Sequence, residues 1–88
     1  MKQPAKVHNV LLAVNEADAG ATIRRNPHMA NWSVITRESQ LYGLWIGEWA
    51  ITEAAADGMR QYRRMVRYLV NRAELTRRMI EQTQPKNN

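Results

Sequence analysis

Arginine is concentrated in the last third of this 88-residue chain. At about 100° per residue of an α-helix, four arginines and an asparagine fall on one flank, and two further arginines border them. The flank consists of Arg60, Arg64, Arg67, Asn71 and Arg78, and it is bordered by Arg63 and Arg77. Arg72 lies on the other side of the helix. A guanidinium group grips phosphate or carboxylate through two hydrogen bonds and stacks on flat rings. The pattern predicts a surface that binds an anionic partner.

The distribution of charge supports the same prediction. Residues 1–57 contain five basic and six acidic residues, a net charge of −1, whereas residues 58–88 contain eight and two, a net charge of +6. Positive charge concentrated at one end of the chain favours nucleic acid, an acidic protein face or an anionic membrane surface as the partner. The competing interpretation is a solvated helix whose arginines only keep the protein in solution.

Two apolar sets are further candidates for binding. Trp32, Trp45 and Trp49 either build the core or anchor a partner, since exposed tryptophan stacks on bases and is favoured at protein interfaces. Tyr68, Leu75 and Met79 form a second apolar line on the basic helix. That line either packs on the N-terminal segment or contacts another helix, for example in a homodimer.

Catalytic and metal chemistry have no comparable support. His8 and His28 lie twenty residues apart with no carboxylate or third histidine at ligand spacing, and the chain has no cysteine. The four glycines form no phosphate-binding loop, and no local pattern joins His8 to Ser33 or Ser39. We therefore expect a protein that is not an enzyme and that uses neither a metal nor a cofactor.

The elements that position these residues are clearest at the C-terminus. Thr52 is a helix cap, Ala54–Ala56 are strong helix formers, and apolar residues recur every three or four positions up to Ile80. The stripe consists of Ala55, Met59, Tyr62, Val66, Leu69, Ala73, Thr76 and Ile80. We predict a long basic amphipathic helix over about 53–82 that packs on the rest of the domain. Gly58 lowers its stability by about 1 kcal/mol relative to alanine, which also allows a start near Asp57.

Residues 31–51 favour an antiparallel β-hairpin. The segments 32–36 and 41–46 are rich in β-branched and aromatic residues, and a polar turn over 38–40 separates them. Tyr42, Trp45, Ile46 and Trp49 also fit a helical spacing, but Gly43 and Gly47 would cost such a helix roughly 2 kcal/mol. The pattern therefore predicts strands.

The N-terminal third leaves strand and helix open. Val7, Val10, Leu11 and Val14 fit a helical stripe, yet Val10–Val14 equally fit a short buried strand. Asn15 followed by Asp18 resembles a cap that opens a short helix ending before Asn26-Pro27. The sequence as a whole indicates an α+β fold with one domain over 1–84 and a disordered tail over 85–88. The longest apolar run, Val10–Val14, is too short for a membrane span or a signal peptide, so we expect a cytoplasmic protein and no membrane partner.

This outline resembles, in size and style alone, many short accessory proteins encoded by phages and plasmids. Two functional hypotheses follow. The favoured one is an inhibitor or adaptor that docks on a host or partner protein, with the arginines of the helix flank against an acidic or nucleic-acid-receiving surface. The alternative is a module that contacts the DNA or RNA backbone through the same arginines.

Overall fold

A parallel three-stranded sheet with helices on both faces forms the framework of the protein. The computed structural model describes residues 6–83. The strands are β1 (Val7–Leu12), β2 (Ser33–Ile35) and β3 (Trp45–Ile51), and the helices are α1 (Glu16–Arg25), α2 (Glu53–Gly58) and α3 (Tyr62–Thr83). Short 3-10 turns at Pro27–Met29 and Glu38–Gln40 lie on either side of β2. The strand order is β2-β1-β3, so β1 occupies the centre of the sheet.

The burial of β1 explains its central position. Val10–Ala13 are all fully buried, because both faces of a parallel sheet are covered by helices. Val10 and Leu12 pack in the core beneath α3, together with Met65 and Leu69. Leu11 and Ala13 pack in a second core on the opposite face, together with Ala19 of α1.

The predicted antiparallel hairpin over 31–51 is wrong. Two of its segments are strands, but β1 lies between them and all three strands run parallel. Val10 is paired with Ser33 on one side and with Trp49 on the other. An apolar pattern identifies strands without specifying their neighbours, so it could not reveal the insertion of β1. The rival helix over Tyr42–Trp49 is not formed either.

The predicted single helix over 53–82 is divided in two. Thr52 caps α2 as expected, since its Oγ1 accepts a hydrogen bond from the Ala55 amide at 3.0 Å. The chain then leaves the helix after Gly58, with Met59 in an extended conformation, and α3 begins at Tyr62. On α3, Met65, Leu69 and Thr76 are fully buried. The C-terminal member of the predicted stripe, Ile80, is 38% exposed because it lies towards the end of the helix.

The N-terminal third contains both of the elements left open. Residues 7–12 are strand β1, and Asn15 opens α1 by accepting the Asp18 amide on its Oδ1 at 2.8 Å. The helix ends at Arg25, before Asn26 and Pro27, as expected from the proline. No helix within 6–83 has the length and apolar character needed to cross a membrane. The expected tail over 85–88 lies outside the described residues.

Candidate anion-binding surface

Three arginines at the start of α3 are exposed and uncompensated. Arg60 lies in the turn before the helix, and Arg63 and Arg67 follow on its outer side. None of the three makes an ion pair with any residue in 6–83. We call Arg60, Arg63 and Arg67 the arginine cluster. It has the positive charge that the sequence predicted for this flank.

A shallow cavity lies beside the arginine cluster. Its volume is about 410 Å³, and Arg60, Arg63 and Arg64 line it together with Met59 and Tyr62. The first turn of α3 contains no acidic residue, so the positive end of the helix dipole and the guanidinium charges reinforce one another. The site therefore combines positive charge with the side chains of Met59 and Tyr62.

Arg64 is part of a network that includes an acidic residue 26 positions away. Its Nε and one terminal nitrogen donate to the two carboxylate oxygens of Glu38 at 2.5 and 2.7 Å. Tyr42 donates its hydroxyl to the same carboxylate. The hydrogen bond from Arg64, followed by that from Tyr42, holds the pKa of Glu38 below its usual value. The bond to Glu38 raises the pKa of Tyr42, because the phenol must stay protonated to donate. Arg64 is thus internally neutralised.

The arginines near the end of α3 share a second carboxylate. Glu74 accepts from Arg77 at 2.7 Å and lies 3.3 Å from Arg78 at the expected i,i+4 spacing. The hydrogen bond from Arg77 is the main reason why the pKa of Glu74 lies below its usual value. Arg78 was one of the predicted binding residues, and the structure places it in an exposed ion-pair group outside the arginine cluster.

The three tryptophans contact the core or neighbouring side chains. Trp32 is half-buried against the core on the α1 face, and its ring meets the edge of His28 at 5.8 Å. Trp49 is half-buried against the core beneath α3. Trp45, at the start of β3, lies beneath the guanidinium of Arg72. Within residues 6–83, the arginine that stacks on a tryptophan ring is Arg72, and no ring contact joins a tryptophan to Arg60, Arg63 or Arg67.

The second apolar line is split between structural and exposed residues. Tyr68 packs on the core, meets the ring of Tyr42 edge-on at 5.1 Å and accepts the Gly43 amide on its hydroxyl at 2.9 Å. Met79 is half-buried. Leu75 is 46% exposed. Tyr68 thus holds the loop before β3 in place, and Leu75 is the member of the line that a partner could cover.

Arg72 is a candidate that the sequence did not single out. Its guanidinium carbon lies 4.2 Å from the centre of the Trp45 ring, and its Nε donates to the Leu44 carbonyl at 2.9 Å. It is half-buried and has no acidic partner within residues 6–83. Nothing in the spacing of α3 reveals this arrangement, because Trp45 comes from a strand 27 positions earlier.

One pair of chemically interesting residues does meet in space. His8 on β1 and Ser33 on β2 are hydrogen-bonded, with 3.1 Å between Nδ1 and Oγ. No carboxylate within the described range is hydrogen-bonded to His8, so a third group that would orient the imidazole for nucleophilic catalysis is missing there. The same part of the chain contains no group of three acidic or histidine side chains that could hold a metal ion.

Comparison of this chain with protein-family models, with curated proteins and with solved structures gives no match.

Proposed function

We propose that this protein is a non-enzymatic accessory protein, an inhibitor or adaptor, that docks on an acidic surface of a partner protein in the cytoplasm. The observation that carries the proposal is the arginine cluster. Arg60, Arg63 and Arg67 are exposed and have no acidic partner within residues 6–83. Other arginines of the same helix are neutralised by Glu38 or Glu74. An uncompensated cationic patch beside neutralised ones is the arrangement expected of a binding surface.

The mixture of charges on and beside α3 favours a protein over nucleic acid. Glu74 on α3, and Glu38 from the turn after β2, interrupt the line of arginines. A duplex presents continuous negative charge, and carboxylates at these points would repel it. A protein surface presents charges of both signs, and interfaces combine arginine with apolar contacts. Met59 and Tyr62, which line the cavity beside the arginine cluster, would add apolar contacts of this kind.

The test uses a matched pair of variants of the full chain. The cluster variant replaces Arg60, Arg63 and Arg67 by glutamine. The control variant replaces three other exposed arginines, Arg24, Arg25 and Arg37, by glutamine. Arg24 and Arg25 belong to α1, which covers the opposite face of the sheet, and Arg37 follows β2. Both variants lose three positive charges, so any difference between them reports the location of the charge.

Tagged wild-type protein is first used to capture a partner from nuclease-treated lysate, and the purified partner is then titrated with each variant. We expect the cluster variant to bind about tenfold more weakly for each arginine that is desolvated at the interface, and the control variant to bind like the wild type. Equal binding of the two variants would contradict the proposal.

A parallel titration with a 20-base-pair DNA duplex and a 20-nucleotide RNA tests the alternative. Binding to a nucleic acid with a steep fall between 50 and 200 mM salt, abolished in the cluster variant, would replace the proposed protein partner by a phosphate backbone. We expect little binding to either nucleic acid at 200 mM salt, in contrast to the protein partner.

A further inference from the structure

We infer that Arg72, held on the ring of Trp45, is a second binding point, and that it takes a carboxylate from an acidic peptide segment. This inference does not rest on the arginine cluster, because Arg72 projects from a different side of α3. At about 100° per residue, Arg72 lies roughly 140° around the helix from Arg67.

The guanidinium of Arg72 is fixed before any ligand arrives. The Trp45 ring supports its flat face, and the Leu44 carbonyl accepts from Nε at 2.9 Å. Within residues 6–83, no hydrogen bond or ion pair involves the edge that carries the two terminal nitrogens. Two parallel N–H groups on one edge match the two oxygens of a carboxylate. An arginine that is already immobilised loses little further side-chain entropy when it binds, which favours recognition.

The charge of the site favours a carboxylate over a phosphate. Arg72 is half-buried and makes no ion pair within residues 6–83. A single guanidinium neutralises the single charge of a carboxylate. A phosphate group carries nearly two charges at neutral pH, and the second would be partly removed from water without a partner.

Apolar neighbours on the helix indicate that the carboxylate belongs to a peptide. Leu75 and Met79 lie three and seven positions beyond Arg72, on the same side of α3, and Leu75 is 46% exposed. A partner segment with an acidic residue next to a leucine would place its carboxylate on Arg72 and its apolar side chain on Leu75. Tryptophan and arginine in contact are typical centres of protein interfaces.

The test is a titration of the isotopically labelled full chain followed by NMR. The probe is an acetylated and amidated peptide with the sequence glycine, glutamate, leucine, leucine, glycine, and the matched control peptide has glutamine in place of glutamate. We expect saturable shifts of the Arg72 Nε–H and Trp45 indole N–H resonances. The glutamine peptide should bind about tenfold more weakly, since it lacks the charge. Inorganic phosphate should bind more weakly than the glutamate peptide.

Variants separate recognition from a purely structural role. Replacing Arg72 by glutamine should abolish the shift at Trp45, whereas replacing Arg77, which is paired with Glu74, should leave it unchanged. Saturable shifts confined to the arginine cluster would overturn this inference and leave the proposed function standing. Equal binding of the two peptides, stronger binding of phosphate, or no shift at Arg72 would also overturn it. The wild-type titration decides these outcomes even if the Arg72 variant does not fold.

Discussion

Gly47 leaves room for the side chain of Asn9 at an irregularity in the pairing of β1 with β3. The pairing of β1 with β3 is irregular between His8 and Val10, where the chain of β3 contains one residue more than β1. The side chain of Asn9 lies in this bulge, and its Oδ1 accepts the Glu48 amide at 2.9 Å. A Cβ atom at position 47 would lie 2.6 Å from that oxygen and 3.0 Å from Val7 Cγ1. A methyl group at position 47 would therefore force the Asn9 side chain to move.

Replacing Gly47 by alanine should destabilise the protein by about 2 kcal/mol, because the methyl group displaces Asn9 from its hydrogen bond and crowds Val7. Urea unfolding of the variant and the wild type measures the difference. Gly58→Ala is the matched control, since no atom lies within 4 Å of a Cβ added there, and its free energy of unfolding should change by less than about 1 kcal/mol. A change in the free energy of unfolding for Gly47→Ala that is as small as that for Gly58→Ala would mean that the bulge tolerates a side chain.

The ion pair of Glu38 with Arg64 makes a pH-dependent contribution to stability. Because the pKa of Glu38 is lower in the folded protein than in the unfolded chain, the unfolded state binds a proton first as the pH falls. The contribution is therefore present above about pH 4.5 and is lost as the pH falls through the folded value. Its size is limited by solvent screening, since the Arg64 side chain is 65% exposed.

We expect Glu38→Gln to be less stable than the wild type at pH 7. The difference should be smaller at pH 3, because the unfolded chain takes up a proton below about pH 4.5 while the folded pKa lies lower. Chemical unfolding at both pH values provides the measurement. Glu48→Gln serves as the control, because Glu48 is exposed and makes no ion pair within residues 6–83. A gap for Glu38→Gln that is as wide at pH 3 as at pH 7 would rule out the ion pair as its cause.

At the scale of elements, α3 is attached to the sheet by one buried stripe and exposes its other sides. Leu69 is fully buried beneath the helix, whereas Leu75 is 46% exposed. Leu69→Ala should cost about 2–5 kcal/mol of unfolding free energy through lost burial and a residual cavity, and Leu75→Ala less than about 1 kcal/mol. Thermal or urea unfolding compares the two. Comparable losses would place α3 in a different rotation from the one described.

The periodicity of α3 was readable from the sequence, but its tertiary partners were not. The arginines at 63, 64, 67 and 78 are all exposed on α3, and Arg60 is exposed in the turn before it. The ion pair of Glu74 with Arg78 follows from i,i+4 spacing. Glu38 and Trp45 reach α3 from loops and strands 26 and 27 positions away, so the neutralisation of Arg64 and the stacking of Arg72 depend on strand order.

The strand order itself left one trace in the sequence. The run from Val10 to Ala13 is apolar at every position, which is typical of a strand that is buried on both faces of a parallel sheet. In an antiparallel sheet with one solvent-exposed face, apolar and polar residues alternate along each strand. That signal favours a central parallel strand at 10–13, which leaves the segments on either side of it unable to pair with each other. Periodicity alone was insufficient, because a short apolar run fits a strand and a helix equally.

At the scale of the whole molecule, shape and charge are both asymmetric. Helix α3 has 22 residues and is about 33 Å long, while the six residues of β1 span about 20 Å. The helix therefore extends beyond the sheet, and the molecule measures 46 × 27 × 22 Å. Most of the excess positive charge lies on or beside this helix, so an approaching acidic partner is oriented towards it before contact.

This asymmetry predicts how the association rate with the partner depends on salt. For the wild type, the rate constant should fall roughly tenfold between 50 and 200 mM salt, because screening removes the attraction of the arginines. The cluster variant and the control variant both change the net charge from +5 to +2. If the local field of the arginine cluster orients the partner, the rate constant of the cluster variant should lose most of its salt dependence and that of the control variant should keep it. Stopped-flow measurements of both rate constants distinguish the two causes. An equal loss of salt dependence in the two variants would assign the effect to net charge instead of the arginine cluster.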